Sequence, residues 1–141
     1  MKSIKVFIIT ILYISFQSNL FAKTNFFDEA LNFFKKKQFN KAKIKFEQDI
    51  VFDPKSEESY LYLSKIFNKK KKFKLEEQNL NTVILLNPEN EEAVFNLAKL
   101  KLNNSDYIES KKLINRLLLF CKNYCLKSKN LKIEIEKSQT N

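Results

Sequence analysis

Apolar side chains recur at intervals of three and four residues along most of the chain, which is the spacing of one buried face of an α-helix. Tyr60, Leu63 and Phe67 show the spacing clearly. Lysine-rich breaks at 35–38 and 68–72 separate one periodic segment from the next. The pattern predicts seven helices, at about 25–37, 40–52, 57–69, 73–86, 91–103, 106–121 and 125–137.

The pattern also repeats at a fixed interval along the chain. Pro54 and Pro88, the only prolines in the sequence, follow the similar segments 50–53 and 84–87. Their separation gives a period of 34, which predicts helix–turn–helix units that stack into a solenoid. Further positions that recur at this spacing are Phe26, Tyr60 and Val94; Ala30, Ser64 and Ala98; Phe39, Phe73 and Tyr107; and Phe46, Leu80 and Ile114.

These columns resemble the tetratricopeptide repeat (TPR) family, whose motif combines aromatic, small and aliphatic positions with a closing proline. Repeat one supplies Phe26, Ala30, Phe33, Ala42, Phe46 and Pro54, and repeat two supplies Tyr60, Ser64, Phe67, Leu80 and Pro88. Repeat three supplies Val94, Ala98 and Ile114. The departures are Glu76 at an Ala column, and Lys101, Ser110 and Lys122 at the aromatic, Ala and Pro columns of repeat three.

The resemblance covers about 24–122 and implies an all-α fold, a TPR-like helix–turn–helix solenoid. We expect a repeat domain at 23–141, with three repeats at about 23–56, 57–90 and 91–124. Terminal repeats need a polar outer face. The segment 125–137, with Leu131 and Ile135 on one side and charged residues around them, is therefore predicted to be a C-terminal capping helix.

Residues 1–22 have the layout of a secretory signal peptide. Lys2 and Lys5 precede an apolar run at 6–16, and Ala22 is a small residue suited to a cleavage point. The run is short for a membrane-spanning helix, which needs about 20 apolar residues. We expect an exported, periplasmic protein. The alternative is a retained anchor in the inner membrane, with the repeats facing the periplasm.

The composition excludes the common kinds of catalytic and metal-binding site. The 141 residues contain no glycine, histidine or tryptophan, and only two cysteines. Without glycine the sequence lacks the usual phosphate-binding loops, and without histidine it lacks a Ser-His-Asp or Cys-His relay. Two cysteines cannot complete a four-ligand zinc site. We therefore expect a protein that is not an enzyme and that uses neither a metal nor a cofactor.

The charge is strongly basic, with 26 Lys and Arg against 16 Asp and Glu and a formal net charge of +10. A basic chain attracts polyanions in general, but the lysines fall at predicted turns and Arg116 is the only arginine. Bidentate contacts to phosphate or bases favour arginine, so no nucleic acid is expected as a partner. The acidic pairs at 57–58, 76–77 and 91–92 are interpreted as capping or solvated residues, not as catalytic carboxylates.

Cys121 and Cys125 are four residues apart. On a regular helix this spacing leaves the Cβ atoms about 5–6 Å apart, whereas a disulfide needs about 3.5–4.5 Å. The repeat register predicts a helix break near 122–124, and export would place the pair in an oxidising compartment. We predict a structural disulfide, with free buried thiols as the alternative.

In the TPR family, the first helix of each repeat lines a concave groove that binds an extended peptide or a partner helix. Members that bind heat-shock chaperones clamp a C-terminal carboxylate there with Lys, Asn and Arg. That clamp is absent here, where Phe27, Leu31, Tyr62, Glu92 and Asn96 stand in those places. The groove-facing positions are Phe27, Leu31 and Phe34 in repeat one, Leu61, Lys65 and Asn68 in repeat two, and Phe95, Lys99 and Leu102 in repeat three.

The resemblance and the predicted export together imply a function. An apolar groove rimmed by lysine fits an amphipathic or hydrophobic segment of another protein. We expect a non-catalytic scaffold for protein–protein interaction in the bacterial cell envelope. Two alternatives stay open. The chain is a membrane-tethered component if the N-terminal segment is retained, or a self-associating component whose groove is covered by the chain itself or by a second copy.

Overall fold

The computed structural model describes residues 25–139, so the predicted signal segment at 1–22 lies outside the described residues. Within 25–139 the chain forms seven α-helices and no strand. The helices are α1 (Asn25–Lys35), α2 (Phe39–Phe52), α3 (Glu57–Lys69), α4 (Phe73–Leu86), α5 (Glu91–Asn103), α6 (Tyr107–Phe120) and α7 (Cys125–Ser138). The predicted all-α fold is confirmed, and the helix bounds lie close to the predicted ones.

Each helix packs mainly against the next one along the chain, which is the arrangement of a solenoid. The helices α1, α3 and α5 are the first helices of the three repeats, and α2, α4 and α6 are the second helices. A cluster around Phe46 fills repeat one and its junction with α3. A larger cluster continues from Leu80 to the last helix, where Leu131 and Ile135 of α7 join it. The last helix therefore covers the end of repeat three, as predicted.

The small residues of the repeat lie where helices cross. Ala30, Ala42 and Ala98 have no exposed surface. Serine at these columns is also buried, because its hydroxyl finds a backbone acceptor within the core: Ser64 Oγ donates to the carbonyl of Leu61 at 2.7 Å, and Ser110 Oγ to that of Ala98 at 2.8 Å. A hydroxyl that is paired in this way costs little when it is buried.

The turn inside each repeat contains one residue in the left-handed backbone region. These residues are Lys37, Lys71 and Ser105, with φ of 58°, 55° and 61°. They occupy the same position in successive repeats, so the conformation belongs to the repeat and not to one turn. A residue with a Cβ atom is strained there by roughly 1–2 kcal/mol, and glycine avoids the cost. The sequence contains no glycine, and this column was not recognised from the sequence.

Replacing Ser105 with glycine is expected to raise the free energy of unfolding by about 1 kcal/mol, because relief of the strain exceeds the extra entropy of the unfolded chain. Asn104→Gly is the matched control, since Asn104 has a φ of −89° and gains nothing from glycine. Chemical denaturation of the two variants checks the prediction. A loss of stability in Ser105→Gly equal to that in Asn104→Gly would contradict it.

Two glutamates at equivalent helix starts hold the loops that end their own repeats. Glu57 Oε1 accepts hydrogen bonds from the side-chain amides of Asn87, at 3.1 Å, and Asn90. Glu91 accepts instead from three successive backbone N–H groups, at 122–124, with N–O distances of 2.8, 2.9 and 2.7 Å. Desolvation raises the pKa of the Glu91 carboxyl, but these N–H groups together with the nearby Lys122 charge outweigh it and hold the pKa below its usual value.

The residues before α3 and α5 differ in how they cap their helices. Asn90 caps α5, since its side-chain oxygen accepts from the backbone N–H of Ala93 at 2.8 Å. Ser56 precedes α3 and makes no capping bond; its hydroxyl instead donates to Asp49 Oδ2 at 2.6 Å. Ser59 Oγ donates to the same oxygen at the same distance. The buried Asp49 side chain is therefore held by two hydroxyl groups at the start of α3.

The predicted disulfide is present. Cys121 and Cys125 are bonded, with their Cα atoms 5.3 Å apart. The bond is possible because α6 ends at Phe120 and α7 begins at Cys125, so the intervening loop is not helical. The predicted helix break is thus confirmed at 121–124. Of the helices described, none is long and apolar enough to cross a membrane.

Candidate functional site

A cavity of about 400 Å³ opens on the face formed by the first helices of the repeats, mainly between α3 and α5. We call this cavity the groove. α1 contributes one aromatic edge, α3 and α5 contribute the two walls, and α4 contributes one buried side chain. Its lining residues are Phe34, Ser64, Lys65, Asn68, Lys69, Glu76, Glu92, Asn96, Lys99, Leu100 and Asn103.

An ion pair joins the two walls of the groove. Lys65 Nζ of α3 lies 2.8 Å from Glu92 Oε1 of α5. The same ammonium group lies 4.7 Å from the centroid of the Tyr62 ring, in a cation–π contact. Both side chains of the pair are partly exposed, so we expect the pair to position the walls and to add little stability.

The inner side of the groove contains a carboxyl group. Glu76 is 3% exposed, and its Oε1 accepts a hydrogen bond from Asn68 Nδ2 at 2.9 Å. Its Oε2 has no hydrogen-bond partner among the described residues. Burial raises the pKa of the Glu76 carboxyl, and the Asn68 amide lowers it by less. Glu76 occupies the column where a small residue separates the two helices of a repeat, so its carboxyl group is buried with a hydrogen-bond partner for only one of its two oxygens.

We expect Glu76→Gln to raise the free energy of unfolding at neutral pH by about 1 kcal/mol, because the buried charge is removed and the Asn68 contact is kept. The folded-state pKa is raised, so this carboxyl favours the folded state at low pH. That contribution is lost as the pH rises through the pKa of the unfolded state and then that of the folded state. The gain in the variant should therefore disappear below about pH 4.

Denaturation at pH 7 and at pH 4 measures the effect. Glu89→Gln is the control, since Glu89 is exposed and should change stability at neither pH. An equal gain in Glu76→Gln at the two pH values would show that the buried charge is not the cause.

Some of the groove positions expected from the sequence line the groove, and others lie in the hydrophobic core. Phe34, Lys65 and Lys99 line the groove, and so does Asn68. Leu61 and Leu102 are each 8% exposed and belong to the hydrophobic core.

The remaining expected positions lie at the edge of the core. Phe27 packs against Phe46, with ring centroids 5.7 Å apart, and Phe95 packs against Tyr124 at 5.3 Å. Leu31 is partly buried and does not line the groove. The aromatic side chains that were expected to be open to a partner are largely covered by the chain itself.

The groove is polar, whereas the sequence pattern predicted an apolar one. Phe34 and Leu100 are its only apolar lining residues among those described. The expected leucines turn inward because the repeats need them for core packing, which leaves amide and charged side chains at the surface. Glu92 and Asn96 had been placed from the sequence only at the clamp positions, whereas Glu76 and Asn103 had not been assigned to the groove at all. The signal for Glu76 was its place at a small-residue column.

Comparison with known proteins identifies the fold but no sequence relative. No family model matches the chain, and no curated protein matches it. Among solved structures, the Yersinia enterocolitica type III secretion translocator chaperone SycD matches with a TM-score of 0.80 at 12% identity. The match covers 91% of this chain and 94% of that one.

Two further solved structures are similar to this chain. The first TPR of Spaghetti (RPAP3), bound to the HSP90 peptide SRMEEVD, matches with a TM-score of 0.75 at 18% identity and covers 82% of this chain and 91% of that one. The TPR2B domain of yeast Sti1, in a complex with pHsp70, matches with a TM-score of 0.72 at 14% identity and covers 78% and 92%. With the seven consecutive helices of residues 25–138 and its repeat period, the chain has the tetratricopeptide-repeat fold.

Proposed function

We propose that this chain is a non-catalytic scaffold of the bacterial cell envelope that binds a segment of another protein in the groove. The observation that carries the proposal is the polar cavity between α3 and α5, on the face formed by the first helices. Fold alone does not assign function, but this site has the size and the hydrogen-bonding groups to hold a peptide.

The groove offers the chemistry that an extended peptide backbone needs. Asn68, Asn96 and Asn103 each carry a donor and an acceptor, and the exposed Lys99 adds a positive charge. We infer that the partner segment is held through its backbone amides and polar side chains. The clamp for a C-terminal carboxylate is not required.

Structures with the same fold support a peptide ligand. The first TPR of RPAP3 is bound to an HSP90 peptide, and SycD is in a complex with a peptide of the translocator YopD. The SycD complex matches with a TM-score of 0.75 at 12% identity. These similarities concern the fold, so they favour a protein partner and leave its identity to experiment.

The setting in the cell is also a proposal. The N-terminal pattern of lysines, an apolar run and Ala22 supports export to the periplasm. N-terminal sequencing of the protein recovered from cells tests this directly. A chain that begins near Lys23 supports a cleaved signal, and a chain that begins at Met1 supports an inner-membrane anchor.

Self-association is the second candidate, because three exposed aliphatic residues share one position in the repeat. These residues, Val51, Leu85 and Leu119, are 75%, 82% and 86% exposed. Equivalent positions of a solenoid lie in one line, so these side chains form an apolar row along the second helices. Analytical ultracentrifugation of the purified protein distinguishes a stable dimer, which this candidate expects, from a monomer.

Site-specific photo-crosslinking tests the groove. A photoreactive residue in place of Lys99 should crosslink to one partner in cells, and the same residue in place of Lys112 should not. Lys112 is the matched control because it is an exposed lysine of α6 outside the groove. Adding Asn96→Ala and Asn103→Ala to the Lys99 variant should weaken the crosslink at least about tenfold if these amides hold the partner. Equal crosslinking from both sites would overturn the proposed groove.

A further inference from the structure

The turns within repeats one and two form one lysine-rich end of the solenoid. Seven of the eight residues at 35–38 and 69–72 are lysine. The connections between repeats, at 53–58 and 87–92, lie at the opposite end and contain six acidic residues and one lysine. Charge is therefore separated along the direction of the helices. We call the first of these surfaces the basic end, and it consists of Lys35, Lys36, Lys37, Lys69, Lys70, Lys71, Lys72 and Lys74.

Helix dipoles explain only half of this arrangement. α1 and α3 end at the basic end, where a positive charge is favourable, but α2 and α4 begin there, where it is unfavourable. The residues before these two helices, Gln38 and Lys72, make no side-chain capping bond. In contrast, Asp106 caps α6 at the same point of repeat three by accepting from the backbone N–H of Glu109 at 3.2 Å. The fold thus accommodates an ordinary cap, and repeats one and two lack it.

The left-handed turn position of the repeat is occupied by a lysine in both turns, at Lys37 and Lys71. Two local costs therefore fall in one small surface: the helix starts lack a side-chain cap, and the lysines there oppose the helix dipole. Local choices that work against the stability of the fold point to a function of the surface.

The lysines of the basic end are also available to a ligand. None of the eight forms an ion pair with any residue in 25–139. The two turns lie side by side, since Lys70 Nζ contacts Asn40 Oδ1 and Lys69 Nζ lies 5.4 Å from the centroid of the Phe39 ring. The basic end is therefore one continuous cationic surface and not two separate turns.

We propose that the basic end docks on the surface of an anionic phospholipid membrane. Phe73 and Leu75 alternate with Lys72 and Lys74 and are 44% and 37% exposed, so apolar side chains stand among the charges. Lysine with interspersed aromatic and aliphatic side chains is the composition of membrane-surface segments. The absence of arginine from this surface disfavours nucleic acid. The acidic connections at the other end orient the solenoid with the basic end toward the membrane.

Vesicle flotation with the full chain tests the proposal. Binding is compared between phosphatidylcholine vesicles and vesicles that contain phosphatidylglycerol. Lys2 and Lys5 are present in every variant, so the part of the anionic preference that is lost when the basic end is altered reports on the basic end. We expect that preference to be at least about tenfold and to fall as salt is raised. Lys36→Glu, Lys37→Glu, Lys71→Glu and Lys72→Glu together should abolish it.

The matched control reverses four lysines elsewhere on the surface, at Lys55, Lys111, Lys129 and Lys132, and should keep the preference. An equal loss in both variants would overturn the proposal, because net charge alone would then account for binding. Tighter binding to heparin than to the anionic vesicles would also overturn it, in favour of a soluble polyanion. A second variant, Lys37→Gly with Lys71→Gly, removes two of the charges without disturbing the fold, because glycine is favoured at the positive φ of both turns. It should weaken the preference for anionic vesicles measurably while the circular dichroism spectrum stays unchanged.

Discussion

Phe46→Ala is expected to lower the free energy of unfolding by about 3–5 kcal/mol, because it empties the centre of the first repeat. Phe46 has no exposed surface, and its ring is stacked on Tyr62 with centroids 5.1 Å apart. It also contacts the ring of Phe27 at 5.7 Å. The two contacting rings belong to α1 and α3, whose packing fixes their positions, so we expect them not to refill the volume.

Phe52→Ala is the matched control for this change. Phe52 belongs to the same helix and is 64% exposed, with one ring contact to Phe26. We expect its loss to cost about 1 kcal/mol. Urea denaturation of the two variants gives the comparison, and similar losses in both would mean that the core of repeat one is not centred on Phe46.

Reduction of the Cys121–Cys125 disulfide is expected to release α7 without unfolding repeats one and two. The closed loop is short, so the disulfide contributes about 2 kcal/mol by its effect on the unfolded chain. The same loop presents the three backbone N–H groups to Glu91, and a looser loop presents them less well. The disulfide and Glu91 therefore stabilise the same connection between α6 and α7. Loss of the disulfide is expected to weaken the hydrogen bonds of Glu91 to the loop.

Hydrogen exchange before and after reduction measures this directly. Amides of α7 should exchange faster in the reduced protein, whereas those of α3 and α4 should keep their protection. Cys121→Ser with Cys125→Ser should reproduce the reduced protein. Faster exchange throughout 25–139 would instead mean that the solenoid unfolds as one unit and that the disulfide supports all of it.

The sequence pattern predicted the helices and the disulfide because both depend on local spacing. Apolar residues at intervals of three and four mark the buried face of each helix, and the repeat period gives the ends. The break between Cys121 and Cys125 followed from the same period, since Lys122 stands where the earlier repeats have Pro54 and Pro88.

The polarity of the groove was harder to predict because it depends on which side chains are buried in the hydrophobic core. Leu61 and Leu102 were assigned to the groove by column, but packing between repeats draws them inside. Glu76 was recognised as a departure, yet its burial follows only from the crossing of α3 and α4. The left-handed turn residues left no signal in this chain, because the glycine that usually marks such a position is missing throughout.

The contacts of Glu57 and Glu91 also determine how the chain could be lengthened or shortened. Each glutamate binds the loop at the end of its own repeat, 30 to 33 residues later. Duplication of 57–90 would therefore copy a complete acid–loop pair, and deletion of the same segment would remove one. A boundary placed inside 57–90 would separate the acid from its loop. The number of repeats, and with it the length of the groove, can thus change in steps of one whole unit while the remaining joints stay intact.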